Sequence, residues 1–213
     1  MYPEKIEMLI NGRWCQGSEK KSQPLINPAT EEILTDVPHA SGADLEEALS
    51  SSSAGFKVWR DTSPFERQTI MEAAARLMES RIDDIAKTLT MEMGKPLAES
   101  KMEMGFVIDV TRWYGEEGKR AYGRIVPARI PGTRQMVIKE PVGPSCAFVA
   151  WNFPGTNVIR KVAGALGAGC SMLIKPSEET PGTAVAIARC FQDAGLPPGV
   201  LNVVFGVPDA VSY

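Results

Sequence analysis

Apolar residues change their period twice along the chain. Over residues 6–40 they alternate or come in short runs. Ile6, Met8 and Ile10 mark one face of a strand. The Asn11-Gly12 pair that follows suits a tight hairpin turn, because both central positions need positive φ. Pro24, Asn27-Pro28 and Pro38 cut the rest of this stretch into short strands. From Ser41 to Gly123 the period becomes helical. Ser63-Pro64-Phe65-Glu66 reads as a helix start, with Ser63 as cap, Pro64 at the first helical position and Glu66 completing a capping box. Ile70, Ala73, Ala74, Leu77 and Met78 then recur at spacings of three and four. A second helix spans about Arg81–Met93 and stops at Gly94, a natural left-handed cap. A third runs from about Pro96 to Tyr122, with Phe106, Val107, Val110, Trp113 and Tyr114 as a stripe that reads as core.

The period returns to two over 124–141. Arg124–Ile130 and Arg134–Glu140 flank Pro131-Gly132, a pair suited to a type II turn. Such a hairpin has little apolar surface nearby in sequence to lie on. It either packs in the ordinary way or pairs with another subunit, and the residues leave both readings open. Beyond Pro141-Val142-Gly143-Pro144, strands at Ser145–Ala150, Cys170–Ile174 and Val200–Phe205 alternate with helices near Thr156–Leu166 and Pro181–Gly195. That order specifies an α/β fold with parallel strands. Function in such sheets collects at the carboxyl ends of the strands, where Trp151-Asn152 and Lys175-Pro176-Ser177-Glu178 fall. Three segments follow from these shifts: 1–123, the hairpin 124–141, and the βαβαβ stretch 142–213.

Composition narrows the class. The 44% apolar and 23% charged residues are those of an ordinary globular protein. A net charge of −3 offers no electrostatic footprint for nucleic acid. No apolar run approaches the roughly 20 residues that span a bilayer, and residues 1–10 lack a signal-type apolar core, so no membrane partner and a cytoplasmic location are expected. The four cysteines, Cys15, Cys146, Cys170 and Cys190, are scattered without a Cys-x-x-Cys pair, which reads as reduced thiols with no metal site. Cys146 and Cys170 fall on or beside strands expected to be buried. The single histidine, His39, sits in a loop and has no general-base partner.

Few residues remain to carry chemistry. Gly164, Gly167 and Gly169 imitate a phosphate loop, but they close a helix and lead into a strand, the reverse of a dinucleotide fingerprint. They read as a tight turn with close packing. Met91–Pro96 holds one glycine and reads as a helix–turn–helix joint. Asn152 places an amide donor at a strand end, where it could stabilise an oxyanion. On the residues alone, the preferred reading is that Asn152 caps the next turn and Trp151 is a half-buried aromatic. Glu178 stands where a dinucleotide fold puts the carboxylate that binds the adenosine ribose, with Lys175 as a second contact. An ordinary surface Lys–Glu pair stands level with that reading. Arg160 lies about two helical turns beyond Asn152, with Lys161 beside it, and a solvated helix face accounts for either.

Trp151-Asn152-Phe153-Pro154 followed by Lys175-Pro176-Ser177-Glu178 resembles the aldehyde dehydrogenase superfamily. Ile10-Asn11-Gly12-Arg13-Trp14, Asn27-Pro28-Ala29-Thr30, Glu92-Met93-Gly94-Lys95-Pro96 and the Gly195–Val204 stretch extend the resemblance over almost the whole chain. The resemblance implies an incomplete Rossmann-like parallel sheet with an N-terminal helical segment and a protruding β-hairpin. It implies NAD, with NADP possible, as cofactor. Trp151 and Asn152 would lie along the cofactor cleft, and Lys175, Pro176, Ser177 and Glu178 would form the ribose turn. Asn152 would be the side-chain half of an oxyanion hole. The hairpin would bridge subunits of a homo-oligomer. Arg160 matches the position that, in succinate-semialdehyde dehydrogenases, holds the far carboxylate of the substrate. Those relatives commonly carry Ala where this chain has Glu178, which leaves the subfamily open.

The family's cysteine nucleophile and general-base glutamate come downstream of a Gly-Ser-Thr turn, and none of the four cysteines matches the nucleophile's motif. Residues 1–213 are therefore expected to be inactive alone, to bind cofactor weakly, and to aggregate because the third strand and the hairpin lack neighbours. The alternative is a non-catalytic module that keeps nucleotide-binding and oligomerisation surfaces. An acylating relative is a third reading.

Overall fold

A computed structural model describes residues 2–207 and 211. Four short strands come first: β1 Met8–Ile10, β2 Arg13–Cys15, β3 Ser22–Ile26 and β4 Ile33–Pro38. Asn11 and Gly12 take φ of 51° and 72°, the double left-handed turn expected between β1 and β2. Four helices follow: α1 Gly42–Asp61, α2 Pro64–Ser80, α3 Ile82–Met93 and α4 Leu97–Gly118. Then come β5 Arg124–Pro127, β6 Arg134–Val137, β7 Ser145–Phe148, α5 Pro154–Gly167, β8 Met172–Lys175, α6 Pro181–Asp193 and β9 Leu201–Val203.

The main sheet has the order β2-β1-β9-β8-β7. β7, β8 and β9 are parallel, as the βαβαβ pattern requires, but β1 joins β9 antiparallel through Leu9 and Val203. The sheet is therefore mixed, and β9 has a neighbour on each side, so the expectation of an unpartnered third strand fails. The buried Asn202 explains the closure. Its Oδ1 accepts from Asn11 N–H at 2.9 Å and from Ser51 Oγ at 3.1 Å, tying the N-terminal hairpin and α1 to β9. Every residue of β8 and β9 is buried, so both faces of the sheet centre are covered.

Helix α1 lies inside the expected helical region. Its start is a full capping box: Ser41 accepts from Asp44 N–H, and Asp44 accepts from Ser41 N–H. At α2, Ser63 caps through Glu66 N–H; the reciprocal bond is made at α1 instead. Helix α4 corrects the aromatic stripe. Val107 is buried with Met104 and Ile108, whereas Trp113 is 66% and Phe106 40% exposed. The buried face also carries Ser100, Thr111 and Gly115, small residues that let helices approach closely, and the carboxylate of Glu103. The three glycines at the end of α5 pack as structural elements. Gly169 takes φ 85°, and Gly167 lies against the Tyr114 carbonyl of α4, so the close contact is helix to helix.

The β5–β6 ribbon turns at Pro131-Gly132, with Gly132 at φ 80° and Thr133 N–H donating to Ile130 O. Ile125, Ile130, Met136 and Ile138 are all about two-thirds exposed or more. No helix among the described residues is long and apolar enough to cross a membrane.

Candidate active site

β7 and β8 pair with Phe148 opposite Lys175, so the turns after them leave the sheet side by side. Val149 N–H donates to Lys175 O at 3.1 Å and holds the two exits together. Trp151 and Asn152 stand on one exit, exposed to solvent, and Lys175–Glu178 on the other, buried.

Asn152 does not cap α5. Its Oδ1 accepts from Asn157 Nδ2 at 3.2 Å, and the helix start is capped from another element. Glu103, on α4, accepts from the backbone N–H groups of Gly155 and Thr156, both at 2.9 Å. Its other carboxylate oxygen meets Lys95 Nζ at 2.5 Å, with both side chains almost fully buried. Lys95 Nζ also lies 4.3 Å from the centroid of the Phe153 ring. The Asn152-Phe153 turn is thus gripped by residues of the helical platform. Neither Lys95 nor Glu103 stood out in the sequence as a candidate. The available signal was a carboxylate at a position one residue from the core Met104 on the inward face of α4.

The α6 start is closed the same way. Glu92, the penultimate residue of α3, accepts from Gly182 N–H at 2.7 Å, Thr183 N–H at 2.9 Å, Thr183 Oγ1 at 2.5 Å and Tyr2 OH at 2.6 Å. Burial pushes this carboxyl up to about 7, against the lowering effect of its donors. Helix N-termini are ordinary anion sites. Here both helix starts of the βαβαβ unit are filled by the protein's own carboxylates, which is a physical reason for a sheet of this type without a glycine fingerprint.

Lys175 and Glu178 form an ion pair with each other, and both are buried, so the surface-pair reading fails. Glu178 Oε1 also lies 3.4 Å from Gly206 N–H, joining the β8 exit to the chain beyond β9. Ser177 Oγ donates to the Glu179 carboxylate, and Pro176 is buried between these groups in sequence.

Three of the expected site residues line two separate hollows, while Asn152, Lys175, Pro176 and Ser177 line neither. Trp151 and Glu178 share one of about 390 Å³ with Leu25, Glu92 and Glu179. Arg160 lines the other, of about 560 Å³, with Met102, Phe106, Phe153, Thr156 and Asn157. Phe153, Thr156, Asn157 and Arg160 recur at three, four and seven residues, one face of α5. Among the charged residues bordering this second hollow, Lys95 and Glu103 neutralise one another, leaving Arg160 and the exposed Glu99. The Arg160 guanidinium lies 5.3 Å from the Phe106 ring centroid, and among the described residues it forms no ion pair. Lys161 is exposed as well.

The cysteines are scattered through the structure. Cys170 and Cys190 are buried, and burial pushes the Cys190 thiol up to about 11. Cys146 is exposed, because β7 is an edge strand and not a buried one.

Residues 14–212 match the model of the aldehyde dehydrogenase family. The chain is 42% identical over 206 residues to 4-(hydroxymethyl)benzenesulfonate dehydrogenase TsaD1 of Comamonas testosteroni, covering 97% of this chain and 43% of the relative. It is 38% identical over 205 residues to succinate-semialdehyde dehydrogenase [NADP(+)] GabD of Escherichia coli (strain K12), covering 96% and 42%. The crystal structure of succinate-semialdehyde dehydrogenase from Burkholderia pseudomallei superposes with a TM-score of 0.95 at 38% identity, over 97% of this chain and 43% of that one. The chain thus spans less than half the length of these relatives. With its family model, its relatives and its fold in agreement, the chain belongs to the aldehyde dehydrogenase family.

Proposed function

We propose that the protein containing these residues oxidises an aldehyde that carries an acid group at its far end, with NAD or NADP as hydride acceptor. The observation that carries this reading is Arg160, a guanidinium without an ion pair among the described residues, on the same α5 face as Phe153 and Asn157 and next to the Asn152 turn. Arg160 would hold the acid group, and the Asn152 amide would donate to the oxygen of the reacting carbonyl as negative charge develops there. Succinate semialdehyde is the simplest such substrate. The aromatic lining by Phe106 and Phe153, together with the sulfonate in the name of the Comamonas relative, extends the class to aromatic acids.

Lys175 and Glu178, a donor and an acceptor at a strand end, would exchange part of their mutual ion pair for the two hydroxyls of an adenosine ribose, and the Glu178 carboxylate would disfavour a 2′-phosphate. The nicotinamide, when bound, supplies the acceptor for hydride. The Escherichia coli relative's name specifies NADP(+), so both dinucleotides belong in the assay. The exposed apolar ribbon β5–β6 would pair between subunits of a homo-oligomer, which sedimentation of an I125E/M136E variant tests.

The decisive experiment is Arg160→Leu in the full-length protein. The KM for succinate semialdehyde should rise by roughly ten- to a hundredfold, as for loss of a charged hydrogen bond, while propanal oxidation stays the same. An unchanged KM for succinate semialdehyde, or an equal change for both aldehydes, would remove the acid-binding role.

A further inference from the structure

We propose that Asn157 is a positioning residue that sets which face of the Asn152 amide meets the substrate; the inference rests on the reading of Asn152 as the oxyanion donor. Asn152 is exposed on a turn, so nothing in its own backbone selects between the two orientations of its amide. The two orientations have opposite consequences. One presents Nδ2, a donor, to a developing oxyanion; the other presents Oδ1, an acceptor that would repel it.

Asn157 couples to this choice. Its Nδ2 donates to Asn152 Oδ1 at 3.2 Å, which occupies the acceptor and leaves the Asn152 amino group to point elsewhere. Asn157 is itself well anchored. Its backbone N–H donates to Phe153 O at 2.8 Å, the first helical bond of α5, and that helix start is held by Glu103. The backbone that carries Asn157 is thereby tied to Glu103 of α4 and to its buried ion pair with Lys95. Asn157 also lines the hollow that contains Arg160, so one side chain touches both the oxyanion donor and the substrate wall.

The test uses the full-length protein with propanal, which has no acid group and so removes Arg160 from the comparison. Three variants are needed: Asn152→Ala, Asn157→Leu and Asn157→Asp. Asn152→Ala should lower kcat by about 10²–10³, the usual effect of losing an oxyanion donor. Asn157→Leu frees the amide to adopt either orientation, and kcat should fall severalfold at unchanged KM. The carboxylate introduced by Asn157→Asp can only accept at neutral pH, so it draws the Asn152 amino group to itself and turns Oδ1 toward the substrate. The kcat of this variant should approach that of Asn152→Ala, and the loss should shrink at acidic pH as the introduced carboxylate protonates and regains a donor. Thermal melting of each variant separates misfolding from misorientation. If Asn157→Asp is no worse than Asn157→Leu, or both match the wild type while Asn152→Ala is impaired, the positioning role is wrong and the oxyanion reading survives. If Asn152→Ala keeps full kcat, both fall.

Discussion

Lys95 and Glu103 form an ion pair of 2.5 Å with side chains 7% and 2% accessible, directly beneath the turn that carries Asn152. The two partners are not equivalent. Glu103 has two further backbone donors and the positive end of α5, whereas among the described residues Lys95 has only the carboxylate and the face of Phe153.

Glu103→Ala should therefore cost about 3–5 kcal/mol, the usual result of leaving a buried charge without its partner. Lys95→Met removes the charge but leaves Glu103 capping α5, and should cost clearly less. Urea denaturation of both variants checks the order, and an equal or reversed order would contradict the asymmetry.

Gly167 and Gly164 lie on the same helix and should respond oppositely to alanine. A Cβ on Gly167 would stand 2.5 Å from the Tyr114 carbonyl oxygen, where only a shift of backbone relieves the clash. On Gly164 the nearest atoms are ring carbons of Tyr114 at 3.7 Å and 3.8 Å. Gly167→Ala should lose about 1–3 kcal/mol. Gly164→Ala should be neutral or stabilise by up to about 1 kcal/mol through helix propensity. Thermal melting of the pair distinguishes them.

Glu92 predicts a pH dependence of stability with a definite sign. Its folded-state carboxyl sits at about 7, above its ordinary value, so between about 4.3 and about 7 the folded state holds a proton that the unfolded state has lost. Its contribution is full below that window and is lost as pH rises through it. The Glu92→Gln variant removes this titration. The stability of the wild type relative to Glu92→Gln should decline across that window and level off above it. A difference that grows with pH would show that the four donors, and not burial, control the group.

Thiol modification should follow burial. Cys146 on the sheet edge should react first with a neutral alkylating reagent and Cys15, partly covered, more slowly. Cys170 and Cys190 should react only on unfolding. Mass spectrometry of the native and urea-unfolded chain reads this directly; early labelling of Cys190 would contradict its buried environment.

Much of the architecture was legible from local pattern. The Asn11-Gly12 turn, the Ser63 cap, the Gly94 stop and the alternation of strands and helices after Gly143 are properties of a few neighbouring residues, so they survive without tertiary information. The adjacency of the Trp151-Asn152 and Lys175–Glu178 turns also follows from the βαβ order, because parallel neighbours must end on the same side. Long-range placement was not legible. The pairing of β1 with β9 joins residues far apart in sequence, Leu9 with Val203 and Asn11 with Asn202, and the outward position of Phe106 and Trp113 depends on which faces of α4 the neighbouring helices cover. Helical spacing alone allows either face when a helix carries both aromatic and small residues.

The two strand-end turns were thus visible as chemistry, but their support was not. Glu103 and Glu92 looked like ordinary charges on helices, since a sequence does not say which carboxylate meets a helix start some fifty or ninety residues away. Burial decides that: once packing removes water from a helix N-terminus, its N–H groups must find an acceptor, and the nearest carboxylate of a neighbouring helix becomes part of the site.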